Sequence, residues 1–430
     1  MRDYFTVDQV RAAEAPLLAA LPDGALMRRA AYGLTAVVAS ELRSRTGGVA
    51  GRRVTLLVGS GDNGGDALWA GAMLRRRGVA VWAVLLDPDR AHAAGLAALR
   101  AVGGRVEVGA DADLGEPDLV VDGIVGISGR GPLRPPAAVL VARVGVPIVA
   151  VDLPSGVDPD TGVAAGPAVT ASVTVAFGAL KPVHALAAAH CGRVELVDIG
   201  LDLPDASVRT PTAAEIGARW PMPGPADDKY SQGVVGVIAG SARYPGAGVL
   251  CAGAAVTATS GMVRYAGTAA PQVLSRWPEV VAVDGFDAAG RVQAWVVGPG
   301  MGVDEEALTV LRAVLGTDLP VLVDADALTL VAADPGLVAG RSAPTLLTPH
   351  AGEFARLTGR DPAADRVAAT RGLAAEWGTS VLLKGGARSS PIRTDRSCST
   401  RPVAPQPRPQ AQGTCCPASS GPSCRPVLHR

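Results

Sequence analysis

Short β-branched runs, each closed by Gly, Asp or Pro and followed by an Ala/Leu/Arg-rich helical pattern, recur along this chain and constrain its fold more than any other feature. The first series is "RVTLLVGSG", "VAVWAVLLD", "PDLVVDGIVG", "VPIVAVDLPSG" and "ASVTVAFGAL". Apolar runs that alternate with helical segments specify a parallel sheet covered on both faces. The pattern pauses near "VELVDIGLDLPD", and a Pro-rich bridge, "PDASVRTPTAAEIGARWPMPGPADD", follows. A second series then begins: "GVVGVIAGS", "AWVVGPGMG", "LPVLVDADAL", "TLLTPHAGE" and "TSVLLKGGA". The chain therefore reads as two α/β domains, residues 1–210 and 211–387, without an internal repeat linking them. After Ala387 the composition turns to Arg, Pro, Ser and Cys, and residues 388–430 read as a disordered tail.

At 430 residues and 48% hydrophobic content, the chain is ample for two cores. Lys plus Arg (40) equal Asp plus Glu (40), so no net field attracts nucleic acid or an anionic membrane, and any phosphate site must be built locally. Small-molecule partners are expected. The opening "MRDYFTVDQVRAAEA" carries charges every few residues and no apolar h-region, which points to the cytoplasm. The uncharged runs Val163 to Leu180 and Tyr244 to Val263 are rich in Ala, Gly, Thr and Pro, as buried elements are, rather than in Leu or Ile. Cys191 and Cys251 precede the tail and Cys398, Cys415, Cys416 and Cys424 lie within it, a spacing that makes neither a zinc signature nor a disulfide framework.

The run Gly59 to Asp66, "GSGDNGGD", sits where a strand turns into a helix. Gly59, Gly61 and Gly64 fit G-x-G-x-x-G, and Asp87 ends the next strand where a ribose-binding acid stands about 20 residues on, so a dinucleotide-dependent dehydrogenase is one reading. The turn also carries an amide and two carboxylates, more polar than a pyrophosphate cradle requires. Further strand ends supply Asp122 in "VVDGIVGISGRGPL" and Asp152 with Ser155 in "VAVDLPSGVD". In a parallel sheet these residues gather at the carboxyl ends of strands, where ligands bind. Asn63, Asp122 and Ser155 are hard oxygen donors suited to an alkali or alkaline-earth cation. Each taken singly can equally satisfy a turn or cap an element.

Together, "LMRRAA", "GSGDNGGDAL", "VDGIVGISGRGPL", "VAVDLPSGVDPDTG", "FGALKP" and "VDIGL" resemble the NAD(P)H-hydrate epimerase family, the YjeF N-terminal domain, across about residues 4 to 201. The resemblance implies a Rossmann-like domain that epimerises hydrated NADH and NADPH at carbon 6. It implies substrate contacts from Asp62, Asn63, Gly64, Gly65 and Asp66, and from Gly126, Ile127, Ser128, Gly129, Arg130, Gly131 and Pro132. It places Asp152 at the nicotinamide end as the catalytic residue, and a potassium ion on Asn63, Asp122 and Ser155. Epimerisation needs reversible loss and return of a hydroxyl, and a carboxylate such as Asp152 can shuttle that proton. Asp62 departs from the family, which usually has Asn there.

In the second half, "WVVGPGMG", "VLVDADAL", "LLTPHAGEFARL" and "VLLKGGA" are strands ending in Gly-rich turns, carboxylates, His350 with Glu353, and Lys384. A cation such as Lys384 at a strand end can meet nucleotide phosphates. His350 alone also fits a hydrogen-bonded turn histidine, and Asp324 a helix cap. In order, these phrases resemble the ADP-dependent NAD(P)H-hydrate dehydratase family, a ribokinase-like fold, and the pairing resembles the layout of bifunctional nicotinamide nucleotide repair enzymes. The resemblance implies ADP or ATP, with magnesium, acting on the S hydrate to restore NAD(P)H. It also implies hydrate contacts at Ala247, Gly302 and His350, and a nucleotide loop beginning at Lys384, Gly385, Gly386 and Ala387. A homo-oligomer is expected. The rival readings for the two halves are a dehydrogenase, a ribokinase-like small-molecule kinase and a non-catalytic YjeF-type binding module.

The dehydratase family continues from its Lys-Gly phrase through a hairpin to G-T-G-D, whose Asp is the expected base. That motif is absent from this sequence. Back-translated with permitted codons and read from each third letter, Gln410 to Pro426 gives G-T-G-D-V-L-S-G-L-V-G-A-L-L-P-A, so Arg388 to Arg430 read as DNA translated out of frame. The second domain is accordingly expected to be truncated and its dehydratase activity lost.

Overall fold

In the computed structural model, residues 1–385 are described throughout, together with the backbone of Arg388–Ile392 and Arg396–Thr400. Gly386 and Ala387 of the expected nucleotide loop lie outside the described residues.

The first series of apolar runs forms one seven-stranded sheet. Its order is Arg105–Val108, Ala80–Leu85, Arg53–Val58, Leu119–Gly123, Ile148–Val151, Val173–Phe177 and Arg193–Val197, with every neighbour parallel. Chain order reverses beside Arg53–Val58, the first strand laid down. The crevice between it and Leu119–Gly123 is therefore a topological switch point, open to a ligand at the carboxyl ends of the strands. The central strands are buried on both faces, which is why they read as unbroken apolar runs. Leu56, Val58 and Val121 pack with Leu34 and Leu42 of helix Ala25–Thr46 and Leu68 of helix Asp62–Arg76, while Leu57, Val120 and Ile148 pack with Leu140 on the opposite face. Burying each such leucine stabilises the fold by about 1.5–3 kcal/mol.

The second series forms another seven-stranded parallel sheet, in the order Val281–Val283, Met262–Ala266, Val234–Ile238, Ala294–Val297, Val321–Val323, Thr345–Leu347 and Ser380–Val381. Its switch point lies between Val234–Ile238 and Ala294–Val297. Val297, Val323 and Leu347 are fully buried, whereas Val296, Leu322 and Leu346, in register on three adjacent strands, are half-buried.

A small third sheet joins the two units. Arg2–Tyr4 runs antiparallel to Val208–Thr210, which pairs in turn with Arg396–Thr400, itself the antiparallel partner of Arg388–Ile392. These last two strands put paired backbone in a stretch whose composition reads as disordered. Ladder pairing uses main-chain groups and asks for no apolar periodicity. Tyr4, Ala185, Val208 and Val367 form a buried cluster across the junction, and Arg371 donates to the Ser207 carbonyl. Among the described residues, no helix is long and apolar enough to cross a membrane.

Candidate active site

The turn from strand Arg53–Val58 into helix Asp62–Arg76 is closed so tightly that a Cβ on Gly59 would stand 1.8 Å from the Ile124 carbonyl oxygen. The glycine pattern thus brings two strand ends together and aims the first turn of the helix at the crevice. A cavity of about 480 Å³ opens there. Asp62, Asn63, Asp66, Gly126, Ile127, Ser128 and Asp152 line it, as do Glu14, His92 and Lys181. Asp87 is not among the lining residues, so the acid expected of a dinucleotide fingerprint does not reach this cavity. Gly129, Arg130, Gly131 and Pro132 are not among them either. The chain turns at Gly126, where Gly129 N–H bonds the Gly126 carbonyl (2.8 Å), and Arg130 leans toward Asp158 and Asp160 at 3.9 and 3.7 Å.

Asp152 follows strand Ile148–Val151 in a left-handed backbone conformation (φ 65°), with Leu153 N–H bonded across it to the Val151 carbonyl at 2.8 Å. A turn of this kind at a non-glycine residue stores on the order of 1–3 kcal/mol of strain. Its partners hold it in place. The carboxylate accepts from Lys181 Nζ (2.5 Å) and from Phe177 N–H (3.1 Å), and both Asp152 and Lys181 are buried. His184, also buried, accepts the Lys181 N–H at Nδ1 (2.9 Å) and stands 2.8 Å from the Asp152 carbonyl at Nε2. These two contacts specify the neutral tautomer with its proton on Nε2. Burial, reinforced by the Lys181 charge, pulls the His184 pKa down to about 4 and keeps that tautomer neutral.

The remaining carboxyls differ in setting. Burial raises Asp66 well above the usual carboxylate range, with Asp152, Asp62 and Glu14 adding to the effect. Glu14, from helix Val7–Ala20, is raised by its own burial against the counter-pull of Lys181. Asp122, buried beneath the site, is pushed up to about 6 by burial, opposed by hydrogen bonds from the Ser155 N–H (2.9 Å), the Ser155 hydroxyl (2.7 Å) and the Ile124 N–H (3.2 Å).

Asn63, Asp122 and Ser155 do converge. The Asn63 amide meets the Val151 and Val125 carbonyls at 2.6 and 3.4 Å, and the Ser155 hydroxyl meets the same Val125 carbonyl at 3.3 Å. Gly126 leaves room for this, since a Cβ there would stand 2.2 Å from Asn63 Oδ1. The set is all oxygen. Among the described residues, no group of three or more His, Cys, Asp or Glu forms a metal cluster.

In the second domain, Lys384 reaches Asp324 (2.6 Å) and Glu353 (3.6 Å), and Glu353 also faces His350 at 3.5 Å. Asp324 does not serve as a helix cap, since helix Asp326–Ala333 has no side-chain cap; it holds Lys384 at the strand end, beside the left-handed Ala325 (φ 52°). His350 caps helix Ala351–Thr358, accepting from Gly352 and Glu353 N–H at 3.0 and 3.2 Å, the hydrogen-bonded turn role its sequence setting allows. Gly302 N–H bonds the Asp326 carboxylate (3.0 Å), Ala247 stands 2.8 Å from a Cβ placed on Gly300, and Gly385 packs against Arg366, which donates to the Lys384 carbonyl at 2.9 Å. These elements gather at the carboxyl ends of the second sheet.

Sequence reasoning misses Lys181, His184, His92 and Glu14. One signal for Lys181 was available: it is one of three lysines among forty basic residues, so an ammonium stands where the chain otherwise uses arginine.

The family described as YjeF-related protein N-terminus matches residues 23–183, and the family described as NAD(P)H-hydrate dehydratase matches residues 235–390. A Mycobacterium tuberculosis protein named bifunctional NAD(P)H-hydrate repair enzyme Nnr is 64% identical over 388 residues, 90% of this chain and 81% of its own. A Corynebacterium glutamicum protein of the same name is 38% identical over 469 aligned positions, covering 90% of this chain and 80% of its own. Among solved structures, the ADP/ATP-dependent NAD(P)H-hydrate dehydratase of Bacillus subtilis, co-crystallised with ATP and magnesium, is 25% identical with a TM-score of 0.40, covering 45% of this chain and 72% of that one. With two such domains in this order and relatives of this identity along nine-tenths of its length, the chain belongs to the family of bifunctional NAD(P)H-hydrate repair enzymes.

Proposed function

We propose that the first domain interconverts the R and S forms of hydrated NADH and NADPH, with Asp152 as the group that takes and returns the proton of the reacting hydroxyl. The observation that carries this reading is the buried Asp152–Lys181 pair at the wall of the switch-point cavity. A carboxylate held in a strained turn, with a fixed ammonium beside it, is positioned to exchange a proton with a substrate hydroxyl rather than to serve a surface contact. Asn63, Asp122 and Ser155 fit an alkali cation by their donor chemistry, and potassium bound there would supply a fixed positive charge beneath the acidic site. This chain's own residues hold the substrate-facing loop Gly126–Ser128 and set the Asp152 carboxylate.

In the second domain the proposed substrates are the S hydrate and ADP or ATP with magnesium, approached by His350, Gly302, Ala247 and Lys384. We further propose that the coding sequence changes frame after Ala387 and that dehydration is lost while epimerisation survives. Two observations support this: the dehydratase family match ends at residue 390, and the row Val296, Leu322 and Leu346 stays half-buried, as a sheet face short of its cover would be.

The test mixes the chain with the R epimer of hydrated NADH and potassium and follows the S epimer by chromatography. Asp152→Asn is expected to fold and to lose turnover, because an amide cannot accept and return a proton. Wild-type turnover in that variant would remove Asp152 from the role.

A further inference from the structure

Asp66 is not used in the chemistry described so far, yet its setting resembles that of no other carboxyl in the cavity. It lies in helix Asp62–Arg76, lines the cavity with Asp152 and Lys181, and is 6% exposed. Its Oδ1 is fully buried without a hydrogen-bond partner, whereas Asp152 is satisfied by Lys181 and Phe177. An ionised carboxylate with a bare buried oxygen is costly, and a neutral carboxylic acid there keeps an O–H to donate. The groups facing it are Asp62 on its own helix, Glu14 from helix Val7–Ala20, Asp152 and Lys181 from the strand-end loops, and His92 at the start of helix Ala93–Ala101. Three of these five are carboxyls, and their charge favours the neutral form of Asp66.

Inversion at a carbon bearing a hydroxyl, by loss and return of water, takes two proton transfers on opposite faces of the ring. One protonates the hydroxyl so that it leaves as water, and the other takes a proton from the water that adds to the opposite face. We propose that Asp66, as a neutral carboxylic acid, donates the proton to the departing hydroxyl while the Asp152 carboxylate accepts one from the incoming water. This rests on the epimerase reading of the first domain.

The step balances. The Asp66 O–H bond breaks and its proton joins the carbon 6 hydroxyl, whose C–O bond breaks with the electron pair leaving on water. The lone pair of the ring nitrogen forms the N1–C6 double bond of a cation. Water then adds to the other face, that electron pair returns to nitrogen, and the surplus proton goes to Asp152. Solvent exchange resets both acids, and nothing is oxidised or reduced. In the reverse direction the two acids exchange roles.

The experiment measures kcat and KM for R-to-S conversion of hydrated NADH by the full chain, its Asp66→Asn, Asp66→Glu and Asp152→Asn variants, alongside oxygen-18 uptake at carbon 6 from labelled water. Asp66→Asn is expected to lower kcat by about 10²–10³-fold with KM within about threefold, label uptake falling in parallel, and Asp66→Glu to recover at least about tenfold of that loss. The wild-type kcat should fall on the alkaline side as Asp66 gives up its proton, and Asp66→Glu should move that limb. Turnover within about threefold of wild type in Asp66→Asn, or a raised KM with unchanged kcat, overturns the donor role. If Asp66→Asn does not fold, Asp66→Glu decides, and an alkaline limb of kcat that the glutamate leaves unmoved overturns the donor role. A wild-type chain that leaves the R epimer unchanged overturns the epimerase reading and the Asp66 role together. Loss of turnover in Asp152→Asn with Asp66→Asn unaffected overturns the Asp66 role alone.

Discussion

Replacing His184 by Ala removes a clamp whose worth can be worked from its contacts. The ring accepts the Lys181 N–H and donates to the Asp152 carbonyl at 2.9 and 2.8 Å, and it is 2% exposed, so the substitution leaves both main-chain groups buried without this partner. Each such group costs about 1–3 kcal/mol, and the space left by the imidazole adds to the loss. The expected total is about 3–5 kcal/mol. For a domain of this size that lowers the melting midpoint by on the order of 10 °C. A second signature separates the clamp from general packing. His184 titrates near 6.5 when unfolded and near 4 when folded, its base form being favoured by burial. The unfolded chain therefore binds the extra proton between those values, and stability falls as pH drops through that window, by about 1.4 kcal/mol per pH unit and about 3 kcal/mol in all. Asp122, raised to about 6, works in the opposite direction, so the wild-type profile alone is flattened. Urea denaturation of wild type and His184→Gln from about pH 7 to about pH 4.5 cancels the shared Asp122 contribution. The stability advantage of wild type over His184→Gln should shrink steadily as pH falls, and kcat of His184→Ala should drop as Asp152 relaxes from its strained turn. A difference that stays constant across the window, or an Ala variant with undiminished kcat, refutes the clamp.

Asp122→Ala should weaken potassium dependence and substrate binding together, since the Asp122 carboxylate organises Ser155 beneath the cavity; full wild-type activity in potassium-free buffer would count against the cation. The 430-residue chain, given the S hydrate, ADP and magnesium, should form no NADH detectable by absorbance, while robust turnover would show that residues after Ala387 supply the missing groups of the nucleotide site.

The two parallel sheets were legible because each central strand is buried on both faces and so appears as an unbroken apolar run, with Arg53–Val58 and Leu119–Gly123 the clearest cases. The positions of Asn63, Asp122, Asp152 and Ser155 were legible for a related reason: in a parallel sheet, polar residues just past a strand are carried to the ligand edge by topology alone. What local sequence does not contain is reach. Lys181 becomes part of the site only because strand Val173–Phe177 lies beside Ile148–Val151, and Glu14 only because helix Val7–Ala20 covers the cavity. Gly129 to Pro132 show the converse, since they continue a motif without a break yet turn out of the cavity once Arg130 leans toward Asp158 and Asp160.

The proton inventory is the part of the site furthest from the sequence. Asp62, Asp66, Asp122 and Asp152 are one residue type carried to the same edge of one sheet, two on the helix after Arg53–Val58 and two at strand ends, and nothing in a string of letters separates their roles. In the fold their fates diverge. Asp62 is exposed at the cavity mouth, and Asp66 is buried with a bare oxygen. Asp122 is wrapped by Ser155 and the Ile124 N–H, and Asp152 is strained against Lys181. Environments that push identical groups apart in proton affinity assign acid and base roles, and here the difference begins with burial, the largest influence on Asp66. Burial first, and then the carboxyl neighbours Asp152, Asp62 and Glu14, disfavour the charged form of Asp66, while the Asp152 carboxylate has the Lys181 ammonium beside it. Burial and pairing of this kind are set by the fold, which is why a motif that matches residue for residue still leaves the direction of proton flow to be read from three dimensions.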